Sequence, residues 1–341
     1  MLVVLCRVLT RCNLACGFCA HDRRLPGARP ALDPALLSHG VQLLGDWRVH
    51  TGREVLLSWL GGEPLWWRER LPLDAQARAA GLRLSLTTNG STLDRAATRA
   101  QLLRDYSELT VSLDAPAGQH DALRGSVGTW ARAVEGLRCL LLERRRTGAP
   151  LTLRINSVLM RSTIAGYASL LTELLQALPG IDEFSFNLLG GRDRPEFHAA
   201  EAVAPAQWQS FVAALPALRA QVAGHGARLL GGATYVARLQ AQVDTDGWPV
   251  DDCAPGRDFL FLDEYGRLAP CAFTGATYGV PLRALDSWRD LCDLPARFAR
   301  QRSADRATVC SHCPSTQIAG KFSTHGVCAA ATVRRAEERM A

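Results

Sequence analysis

The sequence lacks any apolar stretch that could cross a membrane. None of its apolar runs reaches the roughly 18 uninterrupted residues that a transmembrane helix needs. The apolar start, Met1–Thr10, has neither a charged beginning nor a small-residue cleavage site, so we interpret it as a strand and not as a signal peptide. These absences exclude the usual membrane spans and secretion signals, and we expect a cytoplasmic protein with no membrane partner.

Lysine is nearly absent, and the basic charge is not clustered. The net charge of +6 comes almost wholly from arginine, and Lys321 is the only lysine, which suggests a GC-rich genome. A nucleic-acid surface usually clusters its basic residues, but the densest group, Arg144–Arg146, ends an apolar helical pattern and is predicted to face solvent. We expect no nucleic-acid partner. An RNA-modifying enzyme, which would carry a basic domain bearing aromatic residues, is a further alternative.

Cysteine, in contrast, is abundant. Eleven cysteines in a chain without a secretion signal do not fit a disulfide framework, because a reducing cytosol keeps thiols free and clustered cysteines there more often bind metal. The apolar fraction of 48% is that of a globular protein with a real core. Both features predict a folded protein with cysteine-based metal sites.

Three cysteines near the amino terminus carry the strongest signal. Cys12, Cys16 and Cys19 are separated by three residues and then by two. Three thiolates on one tight loop can hold three irons of a cubane cluster and leave the fourth iron open to a substrate or cofactor. Zinc or plain buried cysteines are the alternatives, because thiolate spacing suits several metals. The only nearby fourth zinc ligand is His21, whose offset of two residues is awkward.

Short apolar, β-branched runs alternate with helical patterns along the first 190 residues. This alternation predicts an α/β fold of parallel strands with crossover helices, and six units fit a partial barrel better than a closed one of eight. The chemistry of such barrels lies at the carboxyl ends of the strands. The predicted strands are Leu2–Val8, Val55–Leu60, Leu82–Thr88, Leu109–Leu113, Leu151–Leu159 and Phe184–Leu189; the predicted helices include Pro34–Arg48, Asp94–Asp105, Trp130–Thr147 and Thr163–Leu178.

Further motifs follow the cysteine loop in a recognisable order. They are Gly61-Gly62-Glu63-Pro64, Thr87-Thr88-Asn89-Gly90, Val111 to Pro116, and His120 to Gly125. With the cysteines, this series resembles the radical S-adenosylmethionine superfamily over residues 1 to about 190. The resemblance implies an enzyme with a partial (β/α)6 TIM-like barrel. It also implies a 4Fe–4S cluster on Cys12, Cys16 and Cys19 that cleaves S-adenosylmethionine (AdoMet).

The resemblance also implies a set of cofactor-binding residues. The Gly-Gly-Glu-Pro segment is expected at the methionine amino group, and the pair Ser112 and Arg124 at the methionine carboxylate. Asn156 is expected at the adenosyl part and Phe18 near the adenine. The complete expected set is Phe18, Gly61, Gly62, Glu63, Pro64, Asn89, Ser112, Asp114, Arg124 and Asn156.

A second cysteine-rich region fills the tail. The cysteines at its core are Cys253, Cys271, Cys310 and Cys313, and the first two flank a predicted β-hairpin with a turn at Asp263–Gly266. This region resembles the SPASM/Twitch class of tail in its shorter Twitch form, which implies an auxiliary 4Fe–4S cluster on those four cysteines. Zinc on the same cysteines is the alternative. We expect a barrel domain over residues 1–230 and this auxiliary domain over 231–341.

Cys328 offers a rival ligand set. With Cys310 and Cys313 it resembles the three-ligand tail cluster of the molybdenum-cofactor cyclase, although the terminal Gly-Gly of that enzyme family is missing. It is also a candidate hydrogen donor, and its role stays open. Cys6, Cys139 and Cys292 lie in apolar surroundings and are predicted to be ordinary buried cysteines.

The resemblance favours an enzyme that abstracts hydrogen from a natural-product intermediate, with an electron donor such as flavodoxin or ferredoxin as partner. An auxiliary cluster suits a net oxidation or a rearrangement. A small polar substrate, such as a sugar or aminocyclitol, is preferred, because few residues precede Cys12 and peptide-modifying relatives tend to carry two clusters in the tail. Modification of a ribosomal peptide, by crosslinking or epimerisation, is the alternative.

Overall fold

The computed structural model describes residues 1–190, 194–245, 250, 253–313 and 315. The strands are β1 (Leu2–Leu9), β2 (Val55–Gly61), β3 (Arg83–Thr88), β4 (Glu108–Ser112), β5 (Thr152–Leu159), β6 (Glu183–Leu188), β7 (Arg228–Leu229), β8 (Phe259–Leu262), β9 (Arg267–Ala269) and β10 (Val280–Pro281). The helices are α1 (Pro34–Thr51), α2 (Arg70–Ala79), α3 (Ala96–Asp105), α4 (Ala117–Arg124), α5 (Thr129–Thr147), α6 (Tyr167–Ala177), α7 (Pro195–Glu201), α8 (Pro205–Gly224), α9 (Ala233–Thr245), α10 (Gly275–Tyr278) and α11 (Trp288–Ala304). Short 3₁₀ turns lie at Pro64–Trp66, Ile164–Gly166, Leu282–Ala284 and Thr308–Cys310.

The predicted alternation of strands and helices is confirmed. At least one helix separates each pair of successive strands from β1 to β6, and the paired neighbours among these strands are parallel. The β-branched and apolar residues of these runs favour a pleated, buried surface, and α1 is ended by Gly52 in the left-handed region. The α/β fold class with parallel strands, expected from the sequence, is therefore correct.

The chain divides into two compact units. One, here called the terminal unit, comprises residues 1–10, 29–85 and 232–341; the other, the central unit, comprises residues 11–28 and 86–231. The boundary between them falls within β3. One boundary between the units lies between residues 231 and 232, close to the predicted domain boundary, but the terminal unit contains both the tail and the first strands. The division into domains 1–230 and 231–341 stays a prediction.

In the terminal unit, β1 pairs in parallel with β2 on one side and with β8 on the other. The predicted hairpin is present: β9 runs antiparallel to β8, and Gly266 N–H donates to the Asp263 carbonyl in the turn. All four residues of β8 are buried, as expected for a strand covered on both faces. The tail hairpin therefore extends the same sheet as the amino-terminal strand, a pairing that the sequence did not predict.

In the central unit, β4, β5, β6 and β7 form a parallel series. Leu113, Ile155 and Phe186 are each no more than 1% exposed, which places apolar residues of three neighbouring segments in one core. In the register of β4 and β5, Ser112 lies beside Asn156. Ser112 ends β4, at the edge where parallel α/β folds bind their ligands, and Asn156 lies beside it on the longer strand β5.

Among the described residues, no helix combines the length and the apolar character that crossing a bilayer needs.

Candidate active site

The cysteine loop lies in the central unit and is shaped by its own backbone. Cys19 N–H donates to the Cys16 carbonyl at 3.0 Å, and the N–H groups of Leu14 and His21 donate to the sulfurs of Cys12 and Cys19, each at 3.4 Å. Amide donors of this kind favour the thiolate form of a cysteine. Cys16 is buried, whereas Cys12 and Cys19 are half-buried.

Asn89, expected from the sequence to bind the cofactor, contacts the cysteine loop directly. Its Nδ2 donates to Asn13 Oδ1 at 2.9 Å and lies 3.7 Å from Cys12 Sγ. Ser91 completes the network, since it accepts from Asn13 Nδ2 and donates its backbone N–H to Asn89 Oδ1, both at 2.9 Å. The loop after β3 therefore fixes the first cysteine through side-chain hydrogen bonds.

Asp22 and Arg24 fix the other end of the loop. Arg24 Nη2 donates to Asp22 Oδ2 at 2.7 Å and to the Ala15 carbonyl at 2.9 Å, so one guanidinium joins the two sides of the loop. Asp22 is 2% exposed, and Arg194 lies 3.5 Å from it as a second cation. The hydrogen bond from Arg24 is the main reason why the pKa of Asp22 is lowered. This role could not be told from that of an exposed turn by sequence alone.

Arg124, at the end of α4, forms a buried ion pair beneath Cys16. Its Nη2 lies 2.5 Å from Asp114 Oδ2, its Nη1 lies 3.9 Å from Cys16 Sγ, and its carbonyl accepts from Ala15 N–H at 3.1 Å. The next residue, Gly125, has φ +60°, and a Cβ there would lie 2.6 Å from the Ala15 carbonyl oxygen. The close approach of α4 to the cysteine loop therefore depends on glycine at this position.

Burial and charge act in opposite directions on Cys16. Burial raises the pKa of the Cys16 thiol to about 12, although the nearby Arg124 lowers it. Burial alone would lower the pKa of the Arg124 guanidinium, but Asp114 and Cys16 more than offset this, so the pKa is raised. A thiol with such a pKa keeps its proton near neutral pH unless a metal ion displaces that proton, because a coordinated thiol is deprotonated outright.

The pairing of β4 with β5 determines where Ser112 and Asn156 lie, and Asp114 follows just after β4. Asp114 is 1% exposed, and its Oδ1 accepts from Val158 N–H at 2.9 Å. Ser112 and Asn156 are half-buried neighbours, and Ser185 Oγ donates to Asn156 Oδ1 at 2.9 Å. Three of the residues expected to bind the cofactor therefore lie within one small part of the central unit.

The ring of Phe18 lies within the cysteine loop and is half-buried. The Arg124 guanidinium carbon lies 5.4 Å from the Phe18 ring centroid, and the Phe197 ring is 6.0 Å away. An arginine within about 6 Å of a ring is attracted to its face. Phe18 is therefore held by a cation on one side and by a second aromatic ring on another.

Gly61, Gly62, Glu63 and Pro64 lie in the terminal unit, directly after β2. Gly61 has φ +149°, and a Cβ at this position would lie 2.2 Å from the Leu9 carbonyl oxygen, which only glycine avoids. Gly62 N–H donates to the same carbonyl at 2.8 Å. Glu63 is fully buried and its Oε1 accepts from Leu65 N–H, which caps the 3₁₀ turn that begins at Pro64.

The four tail cysteines line one cavity of the terminal unit. Its apolar wall includes Pro270 and Phe259, and its volume is about 60 Å³. A single water needs roughly 10–15 Å³, so the space exceeds that of one solvent molecule. The four cysteines come from three segments: one before β8, one after β9, and one at the end of the described chain that supplies two cysteines, namely Cys253, Cys271, Cys310 and Cys313.

The tail thiols lie close enough to influence one another. Burial raises the pKa of Cys253 to about 12, and the charges of the other three cysteines raise it further, whereas Arg302 lowers it. Burial also raises the pKa of Cys271, which Thr274 lowers through a 3.2 Å contact between its hydroxyl and the sulfur. Four half-buried thiols around one cavity form a typical site for a metal centre.

Comparison with known proteins agrees with this geometry. A family model described as the Radical SAM superfamily matches residues 7–143. This match places residues 7–143 of the chain in the radical SAM superfamily. The chain is accordingly an enzyme, and the 4Fe–4S cluster and AdoMet that the superfamily uses confirm these two of the cofactors predicted from the sequence, whereas the auxiliary cluster stays a prediction.

Relatives of this radical SAM chain carry out different reactions. The AdoMet-dependent heme synthase of Methanosarcina barkeri is 25% identical over 275 residues, covering 77% of this chain and 74% of that protein. The PqqA peptide cyclase of Xanthomonas axonopodis pv. citri is 27% identical over 328 residues, covering 93% and 81%. Streptococcus suis SuiB bound to the precursor peptide SuiA has a TM-score of 0.65 at 17% identity, covering 89% of this chain and 66% of SuiB. The last similarity shows a shared fold.

The residues of the first radical SAM site fit a cluster and AdoMet. The loop offers three thiols, and Arg124 Nε is buried without a hydrogen-bond partner among the described residues. A buried donor of this kind costs free energy unless a ligand accepts from it, and the AdoMet carboxylate has the matching charge. The second site offers four sulfur donors and a cavity. This donor set suits an iron–sulfur cluster and also zinc.

The sulfurs are not arranged for a single ion. In the part of the chain that the structure describes, no three His, Cys, Asp or Glu side chains converge closely enough to hold one metal ion. The fit of both sites therefore rests on their donor sets and on the space and charge around them.

Two predictions about the remaining cysteines were wrong. Cys6 is fully buried, as expected, but Cys292 is exposed and Cys139 is only half-buried. Cys139 and Cys292 lie on the helices α5 and α11, where apolar neighbours in sequence point to another face. Cys328 lies outside the described residues. The sequence also missed Arg238 and Arg302, which lie beside the tail cysteines.

Proposed function

We propose that this radical SAM enzyme cleaves AdoMet reductively and oxidises a natural-product intermediate with the help of an auxiliary 4Fe–4S cluster. The observation that carries the proposal is the cavity lined by four cysteines from three segments, in a chain that also has the three-cysteine loop. The proposed ligands of the first cluster are Cys12, Cys16 and Cys19, and those of the second are Cys253, Cys271, Cys310 and Cys313.

When bound, the reduced first cluster and AdoMet supply a 5′-deoxyadenosyl radical that can abstract an unactivated hydrogen, and this radical chemistry belongs to the cofactor. The chain supplies placement. Asn89 and Arg24 hold the two ends of the cysteine loop, and Gly125 lets α4 approach it. Phe18 covers part of the site with an apolar ring. Such positioning matters because the site must bring a reacting radical to the intended hydrogen atom and must keep water out.

Within the central unit, the same geometry supports the proposed AdoMet contacts. Arg124 already lies beside Cys16 and keeps a buried Nε free of described hydrogen-bond partners, which supports the proposed bond to the methionine carboxylate. Ser112 is its proposed companion, and Asn156 is proposed to contact the adenosyl part. For the methionine amino group we propose the segment Gly61–Pro64, on the strength of its resemblance to the Gly-Gly-Glu-Pro motif of the superfamily.

A second redox centre suits a net oxidation, because a substrate radical that becomes a closed-shell product must lose an electron. Dehydrogenation and crosslinking are reactions of this kind. Zinc on the same four cysteines would leave the electron without an acceptor, since zinc has no redox chemistry. The first cluster would receive its electron from a donor such as flavodoxin or ferredoxin.

For the substrate, the comparisons favour a peptide. The peptide cyclase matches 93% of this chain, and a peptide-bound enzyme shares its fold. The small polar substrate expected from the sequence is the second candidate, and the heme synthase match over 77% of the chain favours a substrate that is not a peptide. The comparisons give no support to a sugar or aminocyclitol in particular.

The test is an anaerobic assay of reconstituted enzyme with dithionite and AdoMet. We expect about eight irons per chain, as two cubane clusters require, and 5′-deoxyadenosine as a product. A panel of candidate peptides and small polar molecules then identifies the substrate class by the compound that accelerates this release and changes in mass. Iron replaced by zinc, or no cleaved nucleoside with any compound, would overturn the proposal.

A further inference from the structure

Arg238 is a buried arginine of α9, in the terminal unit. It is 4% exposed. Its Nε donates to the Ser315 carbonyl at 3.1 Å, and its Nη1 is buried without a hydrogen-bond partner among the described residues. A buried guanidinium is costly unless an anion compensates its charge, because the charge has left water. Without an anion nearby, the buried charge of Arg238 would therefore destabilise the folded protein.

The other buried arginines of the described chain show what this protein usually does. They each contact a carboxylate: Arg70 contacts Asp74, Arg99 contacts Glu143, Arg124 contacts Asp114, and Arg154 contacts Glu183. For Arg238, the described residues supply no such carboxylate, and the acidic groups that act on its pKa are Cys313 and Tyr235. Arg238 is thus the exception among buried arginines, and its nearest acidic neighbours include a proposed cluster ligand.

Ser315 connects Arg238 to the auxiliary site a second time. Ser315 lines the same cavity as the four tail cysteines, and its N–H donates to the sulfur of Cys313. Because Arg238 holds the Ser315 carbonyl, it also fixes the residue that bonds to this sulfur. Arg238 therefore acts on the site through its charge and through the position of a hydrogen-bond donor.

We propose that Arg238 is the counter-charge of the auxiliary cluster and raises its reduction potential; this inference rests on the proposed second cluster. A cubane with four thiolate ligands is anionic, and it gains one more negative charge on reduction. A buried cation stabilises the more negative form more strongly, so the potential rises with the charge of Arg238. A cluster that accepts an electron more readily suits an enzyme whose substrate is oxidised.

The test is a redox titration of the anaerobic holoenzyme, followed by low-temperature paramagnetic resonance. The auxiliary cluster is identified as the one whose signal does not change when AdoMet is added. We expect Arg238→Gln to lower the equilibrium constant for one-electron reduction of the auxiliary cluster at least about tenfold, which lowers the midpoint potential by about 59 mV. Arg238→Lys keeps the charge, and we expect its midpoint to stay within about threefold of the wild type.

Arg300→Gln is the matched control, because Arg300 is an exposed arginine of α11 in the same unit and its removal changes the net charge equally. Its midpoint is expected to stay unchanged, since solvent screens an exposed charge. An unchanged midpoint in Arg238→Gln, or an equal shift in Arg300→Gln, would overturn the inference and leave the proposed function intact.

If Arg238→Gln loses the auxiliary cluster, the Arg238→Lys variant tests the inference instead. A lysine variant that keeps both its iron and its midpoint supports the role of the charge, and a tenfold drop contradicts it. Failure of the proposed function has a different result: wild-type enzyme would contain only about four irons and no signal insensitive to AdoMet.

Discussion

The two cysteine sites are built in different ways. The first is a single loop, residues 12–19, shaped by backbone hydrogen bonds and held by side chains from a few neighbouring segments. The second is assembled from segments between residues 253 and 313 and depends on a hairpin, two helices and a 3₁₀ turn. A local site can be recognised from spacing alone, whereas an assembled site requires the fold.

The sites also differ in how they handle charge. Arg124 at the first site is paired with Asp114, and the pair leaves only part of the guanidinium for a ligand. Arg238 at the second site has no described carboxylate partner. The first arrangement suits the recognition of a ligand that comes and goes, and the second suits a permanently bound anionic centre.

The largest expected effect separates the sites completely. Replacing Cys16 by Ala removes a buried ligand of the first cluster, so we expect AdoMet cleavage to fall to background and the iron content to fall by about four atoms. The signal that AdoMet does not perturb should remain. Cys292→Ala, which removes an exposed cysteine, is the control and should keep both clusters. Cleavage retained by the Cys16 variant would contradict the assignment.

The reverse experiment removes the assembled site. Cys271→Ala should lower the iron content by about one cluster, because the two sites have separate ligands. Product formation should stop, while uncoupled release of 5′-deoxyadenosine partly survives. Iron analysis and mass spectrometry of the products measure both effects. If the variant keeps all its iron, Cys271 is not a ligand, and the hypothesis of a four-cysteine cluster is wrong.

A smaller effect is expected from the buried ion pair of the first site. Asp114→Asn leaves the buried Arg124 without its counter-charge, and we expect a loss of about 3–5 kcal/mol in the free energy of unfolding, measured by anaerobic urea denaturation. The control is Glu135→Gln, which breaks the exposed pair with Arg138 and should leave the free energy of unfolding nearly unchanged, because solvent screens exposed charges. Equal costs for the two variants would show that burial does not strengthen the first pair.

The smallest effect concerns the ligand. Arg124→Ala should weaken AdoMet binding by about 1.5–3 kcal/mol, because a charge-assisted hydrogen bond to the methionine carboxylate is lost. Equilibrium dialysis with iron-loaded enzyme measures the change, and Arg145→Ala, at an exposed position of α5, is the control. Unchanged affinity would remove Arg124 from the AdoMet site and leave it a purely structural partner of Asp114.

Periodicity was enough to predict most of the strands and helices, and spacing was enough to single out the cysteine loop, whose role as cluster ligands stays a prediction. The strands that begin near Leu2 and Val55 follow from runs of apolar, β-branched residues, and Cys12, Cys16 and Cys19 from their spacing. The pairing of β8 with β1 was not predictable, because it joins residues more than 200 positions apart. For the same reason Arg238 carried no signal: an arginine in a helical pattern is usually exposed, and only the fold buries this one.

The central claim is that the chain holds two separate 4Fe–4S clusters, and iron analysis of the variant in which Cys12, Cys16 and Cys19 are all replaced by Ala tests it most directly. We predict about four irons per chain and a low-temperature paramagnetic signal that AdoMet leaves unchanged. A folded variant that contains no iron, or that contains zinc instead, would contradict the account.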